Sequence, residues 1–234
     1  MTHMTENSAP SPHDLPDVSG LVVGVLGGTG EQGRGLARRL AMSGLQVVLG
    51  SRSAERAIAA ATEMSVNGFA VTGNDNHGCA TASDVVIVAV PYEGHRDLLD
   101  SLVAELAGKI VIDCVNPMGF DKQGAFSLVV EEGSAAQQAA VALPESRVVG
   151  AFHHVSAVLL LDEGVDSLDT DVLVVGDDRA ATDVAQALAG RITGMRGIYA
   201  GRLRNAGQVE AMTANLISMN RRYKGHAGLR VTDV

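Results

Sequence analysis

The sequence predicts an α/β fold, a doubly wound parallel sheet with a smaller C-terminal α/β domain, and three observations carry that prediction. Short apolar runs of strand length alternate with amphipathic segments of helix length from residue 20 onward. Residues 84–90 (DVVIVAV) are apolar throughout after Asp84, as expected of a strand buried on both faces. The first apolar run enters Gly28-Thr29-Gly30-Glu31-Gln32-Gly33, the G-x-G-x-x-G spacing of a Rossmann-type dinucleotide site.

Residues 1–19 are polar and proline-bearing without periodicity, which predicts a disordered N-terminal tail. A strand follows over 21–26 and a helix over 31–43, whose free N–H groups and dipole would face an anion. Between them, Gly28 is expected to take a tight positive-φ turn and Gly30 to let the backbone approach a pyrophosphate. Gly33 would let helix pack on strand. The pattern then predicts a strand over 46–49, a helix over 53–64 and short strands over 68–71 and 84–90. A helix over 94–107, a strand over 109–113, a helix over 134–142 and a strand over 147–150 close a nucleotide-binding domain of residues 20–152. Residues 153–234 form the C-terminal domain. There the pattern predicts strands over 172–175 and 197–200 and helices over 179–192 and 204–222. In the last helix Val209, Met212, Leu216, Ile217 and Met219 form one apolar stripe, to be buried on its own domain or on a partner in a homodimer.

The end of the second strand narrows the nucleotide. An NAD site places an acid there to hold the ribose hydroxyl, but this chain reads Gly50-Ser51-Arg52-Ser53. Ser51 can donate a hydrogen bond, Arg52 can clamp or stack on a 2′-phosphorylated adenosine, and Arg56 lies one helical turn further on. NADP is therefore expected; arginines at an ordinary solvated helix start would read the same way. Val90-Pro91-Tyr92 and the loop 114–119 leave the carboxyl ends of neighbouring strands, where open α/β sheets bind ligands, so Val90 and Val115 should wall the nicotinamide side.

Composition bounds the rest. At 234 residues and 46% hydrophobic content the chain can build real cores, and no apolar run is long enough to span a bilayer. The first 19 residues lack the order of a signal peptide, so the cytoplasm is expected. Cys79 and Cys114 lack metal-ligand spacing and read as small buried residues. The net charge of −9 argues against nucleic-acid binding, although residues 196–230 hold seven cations against Glu210 alone. That basic segment suits an anionic ligand, an acidic partner surface or a solvated helix face.

Proton-handling residues are scarce. The three lysines, Lys109, Lys122 and Lys224, stand outside any helix core facing the cofactor, and no Tyr-x-x-x-Lys occurs. His153 and His154 remain, adjacent on a chain expected to be extended, so that only one would face the cleft; no further zinc ligands accompany them. No acid–base catalytic residue and no metal are expected, and the site reads as one that binds two ligands.

Together, Gly27-Gly28-Thr29-Gly30 with Gln32-Gly33, Gly50-Ser51-Arg52, Val90-Pro91-Tyr92-Glu93, His153 with Val155 and Ala157, and Val209-Glu210-Ala211-Met212-Thr213 resemble the NADPH:coenzyme F420 oxidoreductases, over residues 22–231. The resemblance implies direct, reversible hydride transfer between carbon 4 of the nicotinamide and carbon 5 of an 8-hydroxy-5-deazaflavin, a reaction in which proximity can supply much of the catalysis. It places Thr29, Ser51, Arg52 and Arg56 on the 2′-phosphate, with Arg56 in place of a lysine. Gly30, Glu31 and Gln32 fall at the pyrophosphate turn, and Ala157 contacts the carboxamide through its backbone. His153, Val155 and Thr213 line the deazaflavin pocket, Thr213 toward the nicotinamide. The chain departs from archaeal members at Ala211, where they carry serine, and at His154-Val155-Ser156-Ala157, where they read Thr-Ile-Pro-Ala. The basic C-terminal segment could meet the acidic tail of the deazaflavin. Two other readings stay open on the residues alone: an NADPH-dependent imine or ketone reductase, and a non-catalytic NADP-binding redox sensor.

Overall fold

The structure is a computed structural model and describes residues 14–65 and 68–234; most of the expected tail lies outside the described residues. In chain order the elements are β1 (Val22–Leu26), α1 (Glu31–Met42), β2 (Gln46–Ser51), α2 (Ala54–Ser65), β3 (Val71–Asp75), α3 (Asn76–Ala82) and β4 (Val85–Val88). Then come α4 (His95–Ser101), α5 (Val103–Leu106), β5 (Ile110–Asp113), β6 (Met118–Asp121), β7 (Gly124–Ser127), α6 (Ala135–Ala142) and β8 (Arg147–Gly150). The chain ends with α7 (Ala157–Leu161), β9 (Thr170–Gly176), α8 (Arg179–Gly190), β10 (Met195–Gly201) and α9 (Ala206–Tyr223).

Eight strands form one sheet in the order β10-β9-β8-β5-β4-β1-β2-β3. From β3 to β8 every pairing is parallel, with β1 between β2 and β4, so the chain reverses direction across the sheet at β1 and opens a ligand crevice beside it. All four residues of β4 are buried, as the apolar run demanded. Two apolar cores lie on the two faces, one built on Leu36, Leu40, Ile87 and Leu188, the other on Leu26, Leu99, Leu106 and Val111. This is the doubly wound Rossmann-type arrangement. The C-terminal strands build no second sheet: β9 pairs antiparallel with β8 and β10 parallel with β9, so both extend the nucleotide-binding sheet.

Several elements differ from the expected pattern for local reasons. The third strand starts at Val71 because Gly68, at φ 79°, still belongs to a turn closed by its N–H on the Ser65 carbonyl. Helix α3 has too few apolar residues to show a period; it starts because the Asp75 carboxylate accepts from the N–H of Gly78. The helix expected over 94–107 breaks at Leu102, which leaves helical geometry at φ −117° and ψ 11°. Hairpin β6–β7 turns on Gly124 at φ 129°, with Asp121 accepting from the N–H groups of Gln123 and Gly124. Short α7 emerges from the leucine-rich loop where Ser156 caps the N–H of Leu159.

The stripe of α9 divides. Val209 and Leu216 are buried in their own chain while Met219 is 46% exposed. Cys79 and Cys114 are buried and unpaired. Among the described residues no helix is long and apolar enough to cross a membrane.

Candidate active site

The β1–α1 turn is built by three close approaches. Positive φ falls at Gly27 (79°), one residue before the expected Gly28, and a Cβ at Gly27 would also stand 2.3 Å from the Ala89 carbonyl oxygen, so the position excludes any side chain. Gly28 instead lets the turn press on β2, where a Cβ would lie 2.9 Å from Leu49 Cδ2. A Cβ at Gly33 would come within 2.4 Å of the Gly27 oxygen, so this glycine sets the approach of α1 to the turn, as expected. Gly30 is exposed and forms the N-cap of α1 without any side-chain cap, which leaves the first-turn N–H groups open to an anion. Thr29 lies half-buried in the same turn.

At the end of β2, Ser51 is buried and its hydroxyl accepts from the Ser53 N–H at 3.4 Å. Ser53 donates to Glu55 at 2.6 Å, which occupies the nearest acid. Arg52 and Arg56 are exposed and enter no ion pair among the described residues.

A cavity of about 460 Å³ opens at the carboxyl ends of the strands. Gly30, Glu31, Gln32, Val90 and Val115 wall it on one side. His153, Val155, Ala157 and Thr213 wall it on the other, joined by Leu216 and Ile217 of α9. Gly28, Thr29, Gly33, Ser51, Arg52 and Arg56 do not line this cavity; they form the turn and the β2 end described above.

Both histidines line the cavity, against the expectation that only one would. The chain is not extended here: buried Phe152 is left-handed at φ 64°, and the Val155 N–H closes back on the Phe152 carbonyl. Neighbours hold this unusual turn. Gln32 Nε2 donates to the Phe152 oxygen at 3.3 Å, while the His153 oxygen accepts from Asn116 Nδ2 at 2.7 Å and Thr213 Oγ1 at 3.2 Å. The His153 ring packs over Gly150, where a Cβ would lie 3.0 Å from Nε2; among the described residues neither ring nitrogen makes a well-formed hydrogen bond, and the Cys114 and Val115 backbone lies beside the ring. His154 Nε2 accepts from the Leu173 N–H at 3.2 Å. Burial pushes both imidazoles down to about 4, helped at His154 by the neighbouring His153, so both are neutral near pH 7.

Beneath the cavity lies a set of buried polar groups that the sequence pattern did not reveal. His95 and Asp113 are fully buried, with His95 Nε2 2.5 Å from Asp113 Oδ2. Burial alone would lower His95, but the Asp113 charge and the hydrogen bonds to Asp113 and Gln138 outweigh it and raise the imidazole. Glu210, on α9, accepts from the N–H groups of Ala135 and Ala136 at the start of α6, and burial pushes it up to about 7. One signal was available: Asp113 is a carboxylate closing an otherwise apolar buried strand, and such a group needs a partner. Nothing local in the sequence singles out His95.

Comparison with known proteins places this geometry in a family. The family model of coenzyme F420-dependent NADP oxidoreductases matches residues 22–117, from β1 to the loop after β5. The F420-dependent NADP reductase of Methanothermobacter marburgensis is 38% identical over 221 residues, covering 91% of this chain and 98% of that protein. The chain belongs to the F420-dependent NADP reductase family. Among solved structures, an Arthrobacter sp. FB24 protein with a provisional description as an F420-dependent NADP reductase superposes with a TM-score of 0.76 at 26% identity, covering 91% of this chain and all of that one. An imine reductase from Bacillus cereus BAG3X2 reaches a TM-score of 0.60 at 15% identity over 87% of this chain and 63% of its own, a likeness of fold alone. The family model ends before the second cavity wall, so His153, Val155 and Thr213 lie outside it and within the longer match to the reductase relative.

Proposed function

We propose that the protein catalyses reversible, direct hydride transfer between NADP(H) and the deazaflavin coenzyme F420. The observation that carries this reading is that one cavity joins the pyrophosphate turn, at Gly30, Glu31 and Gln32, to a second wall at His153, Val155 and Thr213, in a chain of this family. The residues fit both ligands. The uncapped start of α1 and the exposed Arg52 and Arg56, which enter no ion pair among the described residues, suit a dinucleotide with a 2′-phosphate, and the buried neutral His153 ring on the cavity wall suits a polar ring system.

In this reading Thr29, Ser51, Arg52 and Arg56 bind the 2′-phosphate, Gly28 and Gly33 shape the turn, and the backbone of Ala157 orients the carboxamide. When bound, the deazaflavin supplies a carbon that accepts the hydride, and its reduction takes up one proton. Val90, Val115, Val155 and Leu216 exclude water and hold the reacting partners face to face, and such orientation is worth several powers of ten in rate. Near pH 7 neither His153 nor His154 puts a charge into the cavity wall. Residues 20–152 then serve NADP, and 153–234 serve the deazaflavin and the dimer contact. Exposed Met219 and Tyr223 on α9 support a homodimer, and two unpaired thiols suit a reducing cytoplasm.

Mixing the protein with NADPH and oxidised coenzyme F420 while following deazaflavin absorbance tests the proposal. Bleaching of the deazaflavin is expected. NADPH oxidation only with an imine or ketone, or no oxidation at all, would overturn it.

A further inference from the structure

The buried His95–Asp113 pair lines neither wall of the cavity, yet a continuous chain of contacts leads from it to both. Its protonation can be read from its neighbours. Gln138 Nε2 donates to Glu132 Oε2 at 3.2 Å, which turns Gln138 Oε1 toward His95 Nδ1 at 3.1 Å. An amide oxygen only accepts, so Nδ1 carries a proton. Across the ring, Nε2 faces a carboxylate oxygen at 2.5 Å, a separation that requires a second proton in the bond. The pair thus holds both protons and no net charge, which is what full burial of two ionisable groups demands.

The other carboxylate oxygen does the positioning. Asp113 Oδ1 accepts from the Val115 N–H at 3.0 Å and so fixes the turn that leaves β5. Val115 lines one side of the cavity, and the next residue, Asn116, donates to the backbone oxygen of His153 on the opposite side. Five links therefore run in series: Glu132, Gln138, His95, Asp113 and the 115–116 turn. Glu132 is itself held by Arg96 at 3.4 Å. Glu210 is the other carboxylate whose charge acts on this ring.

We propose that His95 and Asp113 form a buried imidazolium–carboxylate pair that acts as a positioning device for hydride transfer, setting the spacing between the Val115 wall and the His153 wall. This rests on the hydride-transfer reading for its kinetic consequence but not for its protonation state. Neither residue is catalytic in the sense of touching a reactant. Their effect passes through Val115 and Asn116.

The test has two arms. In ¹⁵N-histidine-labelled wild-type protein, long-range ¹⁵N–¹H spectra are expected to show His95 with both ring nitrogens protonated at a pH where an ordinary histidine is already neutral. Asp113→Asn, which keeps the shape and can still accept from Val115 and donate to Nε2, should convert that signal to a neutral ring. A neutral His95 in the wild type would overturn the pair as drawn. In the second arm, His95→Leu is expected to lower kcat about tenfold or more while KM for NADPH stays within about twofold, because spacing rather than nucleotide binding is disturbed. The isotope effect with deuterated NADPH should also become more temperature-dependent, a change that lost stability alone would not produce. Asp113→Asn should retain most of the rate. An unchanged kcat in folded His95→Leu would overturn the positioning role and leave the hydride-transfer reading intact. Absence of wild-type turnover would overturn that reading, while the spectra still decide the pair.

Discussion

Arg39 on α1 grips Leu160 on α7: its Nε donates to the Leu160 carbonyl at 2.8 Å, and the rest of the guanidinium takes the oxygens of Leu159, Asp162 and Val165 at 2.6 to 2.9 Å. One buried side chain thus satisfies four carbonyls at the end of a short helix. The grip links the cavity to packing, since α1 begins at the glycine turn and α7 begins at Ala157, and both starts line the cavity. Close contact backs it, because a Cβ at Gly35 would stand 2.6 Å from Leu160 Cβ.

Arg39→Ala should therefore destabilise the fold by about 3 kcal/mol, the scale for stranding several buried acceptors. Arg39→Lys should recover little, since one ammonium cannot span four carbonyls. Thermal unfolding with and without NADPH is the measurement. Destabilisation below about 1 kcal/mol would show that water replaces the guanidinium.

The end of β2 yields a second expectation. Arg52→Ala should raise KM for NADP by roughly tenfold to a hundredfold and leave NAD almost unchanged, because a charge-assisted contact to a phosphate is lost and NAD has none to lose. Ser51→Glu should invert the preference more strongly, by placing a carboxylate where the sheet ends. The ratio of kcat/KM for the two nucleotides reports both. Equal effects on NAD and NADP would move the phosphate site elsewhere.

How much of this was legible in the sequence depends on the range of the interaction. The glycine turn, the strands and helix next to it in sequence and Ser51-Arg52 rest on local patterns, and the structure brings the turn against the end of β2. That Gly27 as well as Gly28 must be glycine was not legible, because the close neighbour at Gly27 is the Ala89 carbonyl, distant in sequence. The pairings of His95 with Asp113 and Gln138, and the contact of Glu210 with the start of α6, went unread for the same reason, since each partner lies across the sheet or between helices and carries no local period. Strands β9 and β10 were legible as strands. Their place on the β8 edge was not, because an antiparallel return leaves no mark on composition.

The buried titratable groups predict opposite pH dependences. His153 and His154 fold with values near 4 against an ordinary 6.5, so the unfolded chain binds more protons between those limits and stability falls as pH drops from about 6.5 to about 4. Glu210 runs the other way: its folded value of about 7 lies above the ordinary 4.5, so its contribution is present below 4.5 and is lost as pH rises through 7. Glu210→Gln should remove that loss, so the wild type weakens relative to the variant between about pH 5 and pH 7, by on the order of a few kcal/mol. Denaturant titrations at several pH values measure the difference. A pH-independent difference would mean that Glu210 is not buried as an acid.

The carbonyl of His153 supplies the last expectation. It receives one hydrogen bond from Asn116 in the loop after β5 and one from Thr213 on α9, so two distant segments meet on a single oxygen. Because that oxygen has two lone pairs, Asn116→Ala or Thr213→Val alone leaves it half satisfied, and each should slow hydride transfer only about threefold. The double variant strands a buried acceptor and frees the left-handed turn at Phe152, which no longer has a second tether on the cavity side. Its rate should fall by well over the product of the two single effects, an interaction energy on the order of 1 kcal/mol in a double-mutant cycle of hydride-transfer rates. Strict additivity would show that the turn is held by Phe152 and Gln32 instead, and that the two donors act independently.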